Sequence, residues 1–208
     1  MHTVSHIHHT DEGESLITYM ARVSNPSNQS NTKTSGKLIK YLIDHKHWSP
    51  FEMVSMCVSI NTTRSIAAQL LRHRSFSFQE FSQRYSQVQN PPVNPQLRRQ
   101  DLDNKQNSFD DFSDHKKASL DLLVNKHMED SLALYNLLLR KDVAKECARD
   151  VLPLASPSRL YMHGNLRSWI HYCQLRTSQD TQLEHRLIAQ QCFDLIEDYF
   201  PLTYNALL

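Results

Sequence analysis

The amino-acid sequence predicts a single α+β domain that is rich in helices and poor in strands. One stretch, residues 53–60, alternates apolar and polar side chains with the two-residue period of a half-buried strand. Most other patterned stretches repeat apolar residues every three or four positions, which is typical of amphipathic helices. The 208 residues are enough to bury one substantial core, so we expect one domain over residues 1–208.

The first half of the chain is predicted to alternate helices with extended segments. Apolar side chains at helical spacing predict helices over 14–23 and 37–45, with a polar loop between them. Asn61–Thr63 supplies N-cap side chains for the next helix, which brings Arg72–Arg74 to its C-terminal end. The segment Ser75–Phe78 alternates hydroxyl and aromatic side chains and is predicted to be extended.

The second half opens with a long connection. Residues 86–118 carry prolines and many polar residues, and a connection of this length is expected to be partly ordered or to act as a flap. A helix is predicted from about His115, and another, carrying Arg149, is predicted to end before Pro153. Three further elements are a short strand over Ser158–His163, a helix capped by Asn165, and a final amphipathic helix over Gln182–Tyr199.

Charge and hydropathy exclude several classes of protein. The chain has 23 basic and 22 acidic residues, a net charge of +1, so it has no bulk field to attract a long polyanion. No run of eighteen apolar residues predicts a membrane span, and the N terminus lacks the pattern of a secretory signal. We therefore expect a cytoplasmic protein that binds neither nucleic acid nor membranes.

Cysteine and glycine usage narrow the possibilities further. The four cysteines are far apart, with no Cys-x-x-Cys pair, which argues against a zinc ribbon and fits thiols in a reducing compartment. Three glycines are too few for a dinucleotide-binding fingerprint or a phosphate-binding P-loop. If the protein binds a nucleotide, side chains must hold the phosphates.

The most informative segment runs from Arg72 to Tyr85. Three arginines and a histidine fall within thirteen positions, interleaved with hydroxyl groups, one carboxylate and three phenylalanines. Clustered guanidinium groups repel one another unless an anion lies among them, and their planar donors suit phosphate or carboxylate oxygens. A solvated basic helix face is the alternative for the Arg-His-Arg triplet taken alone.

The spacing within this segment resembles the signature of the flavin-dependent thymidylate synthases. Arg72-His73-Arg74 is followed by Ser82-Gln83-Arg84-Tyr85, and Ser77 and Glu80 also fit. Other segments match the family in the same order, over roughly positions 20–205: Ala21–Ser24, His47–Glu52, Ala148–Pro153, Asn165–Ser168, Leu175–Arg176 and Glu184.

The resemblance implies an antiparallel sheet with several packed helices, and the reductive methylation of dUMP to dTMP. Methylenetetrahydrofolate would supply the carbon, and FAD reduced by NADPH would carry the hydride. No cysteine lies in a basic, motif-like setting that would activate it, which fits a flavin-based route. The resemblance also implies a homotetramer whose active sites are shared between subunits.

The resemblance assigns roles to individual residues. The FAD-binding positions are Ser49, Arg72, His73, Arg74, Glu80, Asn165, Leu166, Arg167 and His171. The dUMP-binding positions are Gln69, Leu70, Leu71, Arg72, Glu80, Phe81, Ser82, Gln83, Arg84, Arg149 and Arg176. Arg176 matches the catalytic position that engages the uracil ring, where a guanidinium would stabilise negative charge on N3 and O2. Ser82 has no evident Ser-His-Asp partners, so its role is binding rather than nucleophilic attack.

Taken singly, several of these residues have simpler explanations. Arg149 could form a surface ion pair with a neighbouring acid, Asn165 could be only an N-cap, and Arg176 could be a C-terminal helix charge. The chain also departs from common family residues at three positions: Met53 (often histidine), Gln79 (often asparagine) and Gln83 (often glycine). The change at Met53 affects a local flavin contact, whereas neither Gln79 nor Gln83 removes an ionic contact.

Two other functions are compatible with parts of the sequence. Twelve histidines, especially His6, His8 and His9, suggest metal-dependent hydrolysis. However, no His-Glu-x-x-His pattern is present, and a frayed N terminus would hold ligands poorly, so no metal site is expected. The arginines and phenylalanines of Arg72–Arg84 could bind nucleic acid, but the near-neutral charge argues against this.

Overall fold

The computed structural model describes residues 2–208 and confirms the predicted α+β class. The elements, in chain order, are β1 (Thr3–His9), α1 (Gly13–Ala21), α2 (Ser35–Asp44), β2 (Ser55–Thr63), α3 (Arg64–Leu70), β3 (Ser77–Glu80), β4 (Arg99–Gln100), β5 (Ser108–Phe109), α4 (Asp114–Arg140), α5 (Lys145–Ala148), β6 (Pro157–Asn165), α6 (Leu166–Arg176), α7 (Leu183–Tyr199) and α8 (Pro201–Leu207).

Four strands form one antiparallel sheet in the order β1-β2-β6-β3. The two central strands, β2 and β6, pair along their whole length. The alternation predicted for β2 is confirmed, since Met56, Val58 and Ile60 are completely buried against the helices. Side chains between them, such as Cys57, lie on the opposite face, which we call the open face of the sheet.

The N-terminal strand β1 shows that the expected frayed terminus was wrong. Thr3–His9 pairs with β2, and the backbone N–H of Val4 donates to Gln191 Oε1 at 3.0 Å. A shift in register between His6 and His8 breaks the two-residue alternation, which hides this strand in the sequence.

The predicted N-cap at Asn61–Thr63 also needs correction. Asn61 and Thr62 belong to β2, where they pair with Arg159 and Ser158 of the neighbouring strand. Thr63 occupies the N-cap position of α3 but makes no side-chain capping bond. The β-branched threonines extend the strand up to the start of the helix, because β-branched side chains favour the pleated conformation.

The chain does not end with α7, as the sequence predicted, but with a second short helix, α8. Pro201 disfavours helical geometry at Phe200, where the backbone turns out of α7. The carboxylate of Glu14 in α1 then caps α8 by accepting hydrogen bonds from the backbone N–H groups of Leu202 and Thr203, at 3.2 and 2.6 Å. The first and last helices are therefore directly connected.

The long connection between β3 and α4 is partly ordered, as predicted. It contains the small β4–β5 hairpin, and the backbone N–H of Val93 donates to the carbonyl of Ala155 at 3.0 Å. Arg98 holds it to α7 through two hydrogen bonds to Glu184, at 2.7 and 3.0 Å. The side chains of this ion pair are only 11% and 16% exposed, respectively.

We expect Arg98→Ala to lower the free energy of unfolding by about 3 kcal/mol, because it leaves the Glu184 carboxylate unpaired in a mostly buried position. Burial alone would raise the pKa of Glu184, but the bonds from Arg98 bring it below its usual range. The ion pair therefore stabilises the protein above the unfolded-state pKa, and this contribution is lost as the pH falls through the lowered folded-state pKa.

Urea denaturation at neutral pH would measure this effect. Arg99→Ala is the matched control, since the neighbouring Arg99 pairs with Asp111 at the surface, where both side chains are nearly half exposed. We expect little change from this control. Equal destabilisation by the two substitutions would contradict the special role of the Arg98 ion pair.

Helix α4 is the longest element, with 27 residues, and it packs only through its C-terminal part. There, Tyr135 is completely buried in a small cluster with Val88 and Ala148. The N-terminal part instead exposes Leu122 and Leu123, at 72% and 66%. Neither α4 nor any other helix within residues 2–208 combines the length and apolar character needed to cross a membrane.

Candidate active site

The Arg-His-Arg signature directly follows α3, at the predicted C-terminal end of that helix. The backbone N–H of His73 donates to the carbonyl of Leu70 at 3.0 Å, which continues the last helical turn. Arg72 and Arg74 are exposed, and neither forms an ion pair with any residue in the range 2–208. Two guanidinium groups without an acidic partner form a site suited to an anion.

His73 lies between these arginines and is linked to Arg176 at the end of α6. Arg176 Nε donates a hydrogen bond to His73 Nε2 at 3.0 Å. Burial, together with the charges of Arg176 and His171, lowers the pKa of His73 to about 4. The imidazole is therefore neutral at physiological pH, with its proton on Nδ1. The two terminal nitrogens of Arg176 bond to no residue between 2 and 208 and are available to a ligand.

His185 supports the region around His73 and Arg176, a role that the sequence did not predict. This residue is completely buried in α7, and its Nδ1 donates to Oε1 of Gln69 at 3.1 Å, while Nε2 of Gln69 donates to Gln182 Oε1 at 2.7 Å. Burial lowers the pKa of His185 to about 3, so it is neutral. His185 has helical spacing from the buried Ile188 and Cys192, which places it on the core face of α7. A histidine on a core face needs a hydrogen-bond partner, and this signal could have predicted its supporting role.

A first cleft, of about 460 Å³, lies beside the N terminus of α6. It collects three of the predicted FAD-binding residues, Asn165, Arg167 and His171, together with the indole of Trp48. Asn165 is also the N-cap of α6, since its Oδ1 accepts the backbone N–H of Ser168 at 2.9 Å. The capping explanation and the ligand-binding explanation are thus compatible, because a second lone pair and the amide N–H groups remain available.

Three predicted FAD-binding residues, Arg167, Leu166 and Ser49, differ in their positions relative to this cleft. Arg167 forms an ion pair with Glu52, which also lines the cleft. Leu166 has its side chain in the core and its backbone N–H bonded to the carbonyl of Val54 at 2.7 Å. Ser49 lies in a short 3-10 turn next to Trp48 and does not itself line the cleft.

A second, larger cleft of about 1160 Å³ lies between the open face of the sheet and residues 85–93. Three predicted dUMP-binding residues, Glu80, Phe81 and Ser82, line its wall. The Glu80 carboxylate accepts hydrogen bonds from Arg64 Nη1 at 3.0 Å and from Ser158 Oγ at 2.7 Å. Its position at the edge of the cleft is therefore fixed before any ligand binds.

Two predicted dUMP-binding residues, Arg84 and Arg149, line neither of the two clefts in the single chain. Arg84 lies 3.5 Å from the Glu146 carboxylate. Arg149 Nε donates to the backbone carbonyl of Glu146 at 3.2 Å and lies 3.9 Å from Asp150. The local contacts considered for Arg149 in the sequence are thus present in the single chain.

Three other predicted dUMP-binding positions have different environments. Leu70 is completely buried in the core, whereas Leu71 is 39% exposed. Gln83 is buried, and its side-chain Nε2 has no hydrogen-bond partner among residues 2–208. Of the other departures from the family pattern, Gln79 lines the second cleft and Met53 is 62% exposed.

Two arginines with no acidic partner among residues 2–208, together with two open clefts, define a protein suited to binding a small phosphorylated ligand. The family model described as thymidylate synthase complementing protein matches residues 6–202. A probable flavin-dependent thymidylate synthase of Paramecium bursaria Chlorella virus 1 is 50% identical over 194 residues, 93% of this chain and 90% of that protein. A flavin-dependent thymidylate synthase of Synechocystis is 48% identical, over 93% of this chain and 89% of that protein.

Solved structures agree with these relatives. The UMP/dUMP methylase PolB from Streptomyces cacaoi, bound with 5-Br dUMP, superposes with a TM-score of 0.87 and 27% sequence identity, over 99% of this chain and 94% of that chain. The chain therefore belongs to the thymidylate synthase complementing protein family, and the family resemblance found in the sequence is confirmed. Membership favours a nucleotide-methylating enzyme over the hydrolase and the nucleic-acid-binding protein.

Proposed function

We propose that this chain catalyses the reductive methylation of dUMP to dTMP. Methylenetetrahydrofolate is the carbon donor, and FAD reduced by NADPH is the hydride carrier. The names of the relatives support a flavin and a thymidylate synthase activity, and the bound 5-Br dUMP of the Streptomyces methylase supports a nucleotide site. The observation that carries the proposal is the neutral His73, bonded to Arg176 and flanked by Arg72 and Arg74, which have no acidic partner in the described part of the chain.

The residues around the first cleft fit FAD. Arg167 and Asn165 line the cleft and would offer a guanidinium group for the pyrophosphate and an amide for a polar edge of the cofactor. Arg72 and Arg74, which precede the cleft residue Ser75 in the chain, would add two further guanidinium groups. Trp48 adds an aromatic wall against which a flat ring system can pack. When bound, FAD would supply the redox chemistry that none of the protein side chains can provide.

The role of the chain at dUMP is to bind and polarise it. Arg72, Arg84 and Arg149 would take the phosphate, and Glu80, Phe81 and Ser82 would hold the nucleotide along the second cleft. The terminal nitrogens of Arg176 would face N3 and O2 of the uracil and stabilise negative charge there, which makes C5 more nucleophilic. A neutral His73 keeps a second positive charge away from this guanidinium.

The assembly we propose is a homotetramer with shared active sites. Arg149 lines neither cleft in the single chain, and we propose that a second subunit brings it to the dUMP site. The projecting half of α4 offers the apolar surface for such an interface, because Leu122 and Leu123 are more than 60% exposed there. We further propose that residues 1–208 act as one catalytic domain in the cytoplasm.

A visible absorbance spectrum tests the proposal. We expect the purified protein to retain FAD after removal of the excess, and its flavin bands to shift when dUMP is added. Deoxyuridine is the matched control, because it lacks the phosphate that the arginines hold, and we expect it to shift the bands far more weakly. A protein that retains no flavin, or that responds equally to both compounds, would contradict the proposed site. If the spectrum shifts as expected, tritium release from dUMP measures turnover.

A further inference from the structure

We propose that His8, Cys57 and His163 form a binding site for a transition metal ion, zinc being the ion that best fits these ligands. The three residues lie on three neighbouring strands, on the open face of the sheet. Each offers one ligand atom, and these atoms lie within 4.8 Å of one another. The site is separate from the nucleotide chemistry proposed above, since none of the three lines either cleft.

The sheet register brings the ligands together. His8 of β1 is directly opposite Cys57 of β2, and Cys57 is directly opposite His163 of β6. Cross-strand partners point to the same face of a sheet, so the short cysteine lies between two longer imidazoles. The two imidazole rings have centroids 5.6 Å apart and are inclined at 37° to each other, so both rings lie close to the sulfur between them in the register.

A bulge in β1 places His8 on this face. His6 and His9 pair with Val58 and Met56, whose side chains point into the core, and both imidazoles pack against Tyr199. Regular alternation would put His8 on the same face as His6. The register shift after His6 adds one residue and turns His8 to the open face instead.

The three side chains are chemically suited to zinc. Two imidazoles and a thiolate are ligands that zinc prefers, and three protein ligands leave a fourth position for water or a ligand. None of the three side chains has a hydrogen-bond partner within residues 2–208, so their lone pairs are not already engaged. Ligand atoms around tetrahedral zinc lie about 3.5 Å apart, given bonds of about 2.0–2.3 Å, so a rotation of the exposed His8 side chain would close the site.

The expectation of no metal site rested on a missing His-Glu-x-x-His pattern and on a frayed N terminus, and the ordered strand β1 removes the second of these grounds. Burial raises the pKa of the Cys57 thiol, so the sulfur stays protonated until a cation binds beside it. The ion would then connect the edge strand β1 to both central strands.

Cobalt titration of the flavin-loaded protein, after chelation and under reducing conditions, tests the proposal. We expect one cobalt ion per chain, with the intense long-wavelength bands of a tetrahedral site beyond the flavin absorption, displaced by zinc. Cys57→Ser should weaken the affinity by at least ~100-fold, because loss of a direct ligand costs more than loss of an outer-shell partner. Cys147→Ser is the matched control, because Cys147 is an exposed cysteine on the helix α5 and not on the sheet, and this variant should bind cobalt as the wild type does.

Two further variants and a second measurement separate ligand loss from misfolding. His163→Asn should weaken cobalt binding as Cys57→Ser does, whereas His127→Asn, on the exposed face of α4, should not. Zinc should raise the melting temperature of the wild type and leave that of the Cys57→Ser protein unchanged. Absent tetrahedral bands in the wild type, or equal affinity in the Cys57→Ser protein, would overturn the metal site. Neither result depends on turnover of dUMP, so the proposed enzyme activity stands or falls separately.

Discussion

Replacing Arg176 with alanine is expected to reduce the turnover of dUMP by about 10²–10³-fold while the protein keeps its flavin. The free nitrogens of Arg176 are the groups that we place at the uracil ring, and His73 is its only hydrogen-bond partner among residues 2–208. Without the guanidinium, negative charge on the uracil is no longer stabilised, and C5 becomes a weaker nucleophile. Tritium release from dUMP measures turnover, and the visible spectrum measures retained FAD.

Arg186→Ala is a suitable control for this experiment. Arg186 lies on α7, and within residues 2–208 its guanidinium hydrogen-bonds only to Gln179, at the protein surface, so we expect normal turnover from this variant. Loss of flavin in parallel with activity in the Arg176→Ala protein would contradict the uracil assignment. It would place Arg176 with the cofactor instead, through its bond to His73.

Gly164→Ala is expected to destabilise the protein by about 3 kcal/mol, because the site cannot accept even one methyl group. A Cβ atom at this position would lie 2.5 Å from Cδ1 of Phe76, well inside van der Waals contact. Phe76 is itself fixed by edge-on packing against Trp169, with ring centroids 4.7 Å apart. Because Phe76 follows the Arg72–Arg74 signature closely, the same clash should also weaken flavin binding.

Gly36→Ala provides the comparison, since a Cβ there would meet only Leu202, at an ordinary 3.6 Å, and alanine favours helix α2. We expect this variant to be at least as stable as the wild type in urea denaturation. A Gly164→Ala protein with wild-type stability would show that Phe76 can move aside, and that the packing under the signature is looser than these distances indicate.

Local patterns predicted the fold where they were regular. The alternation along β2, the N-cap at Asn165 and the amphipathic spacing of α7 all correspond to observed elements. The strand β1 was missed because its bulge interrupts the alternation, and α8 was missed because only one residue, Phe200, separates it from α7. Both errors arise where backbone geometry departs from an ideal period, which single-sequence periodicity cannot detect.

The site was predicted from motif spacing, and its supporting contacts were not. The positions of Arg72–Arg74 and Glu80 follow from the chain itself, whereas the bonds of His185 to Gln69 and of Arg176 to His73 join residues about a hundred positions apart. Such long-range pairs leave no periodic trace. The environment of Arg149 stays a prediction, because its proposed ligand would lie across a subunit boundary.

The cap that Glu14 provides to α8 has a consequence for how this protein is made. During synthesis, α1 and α2 emerge first, yet Ile17 and Ile39 share their core with Ala206 of α8. This core therefore cannot close until α8 has left the ribosome, however early the first two helices are made. A ribosome stalled shortly before Pro201 would hold a chain whose first two helices still lack their final partner.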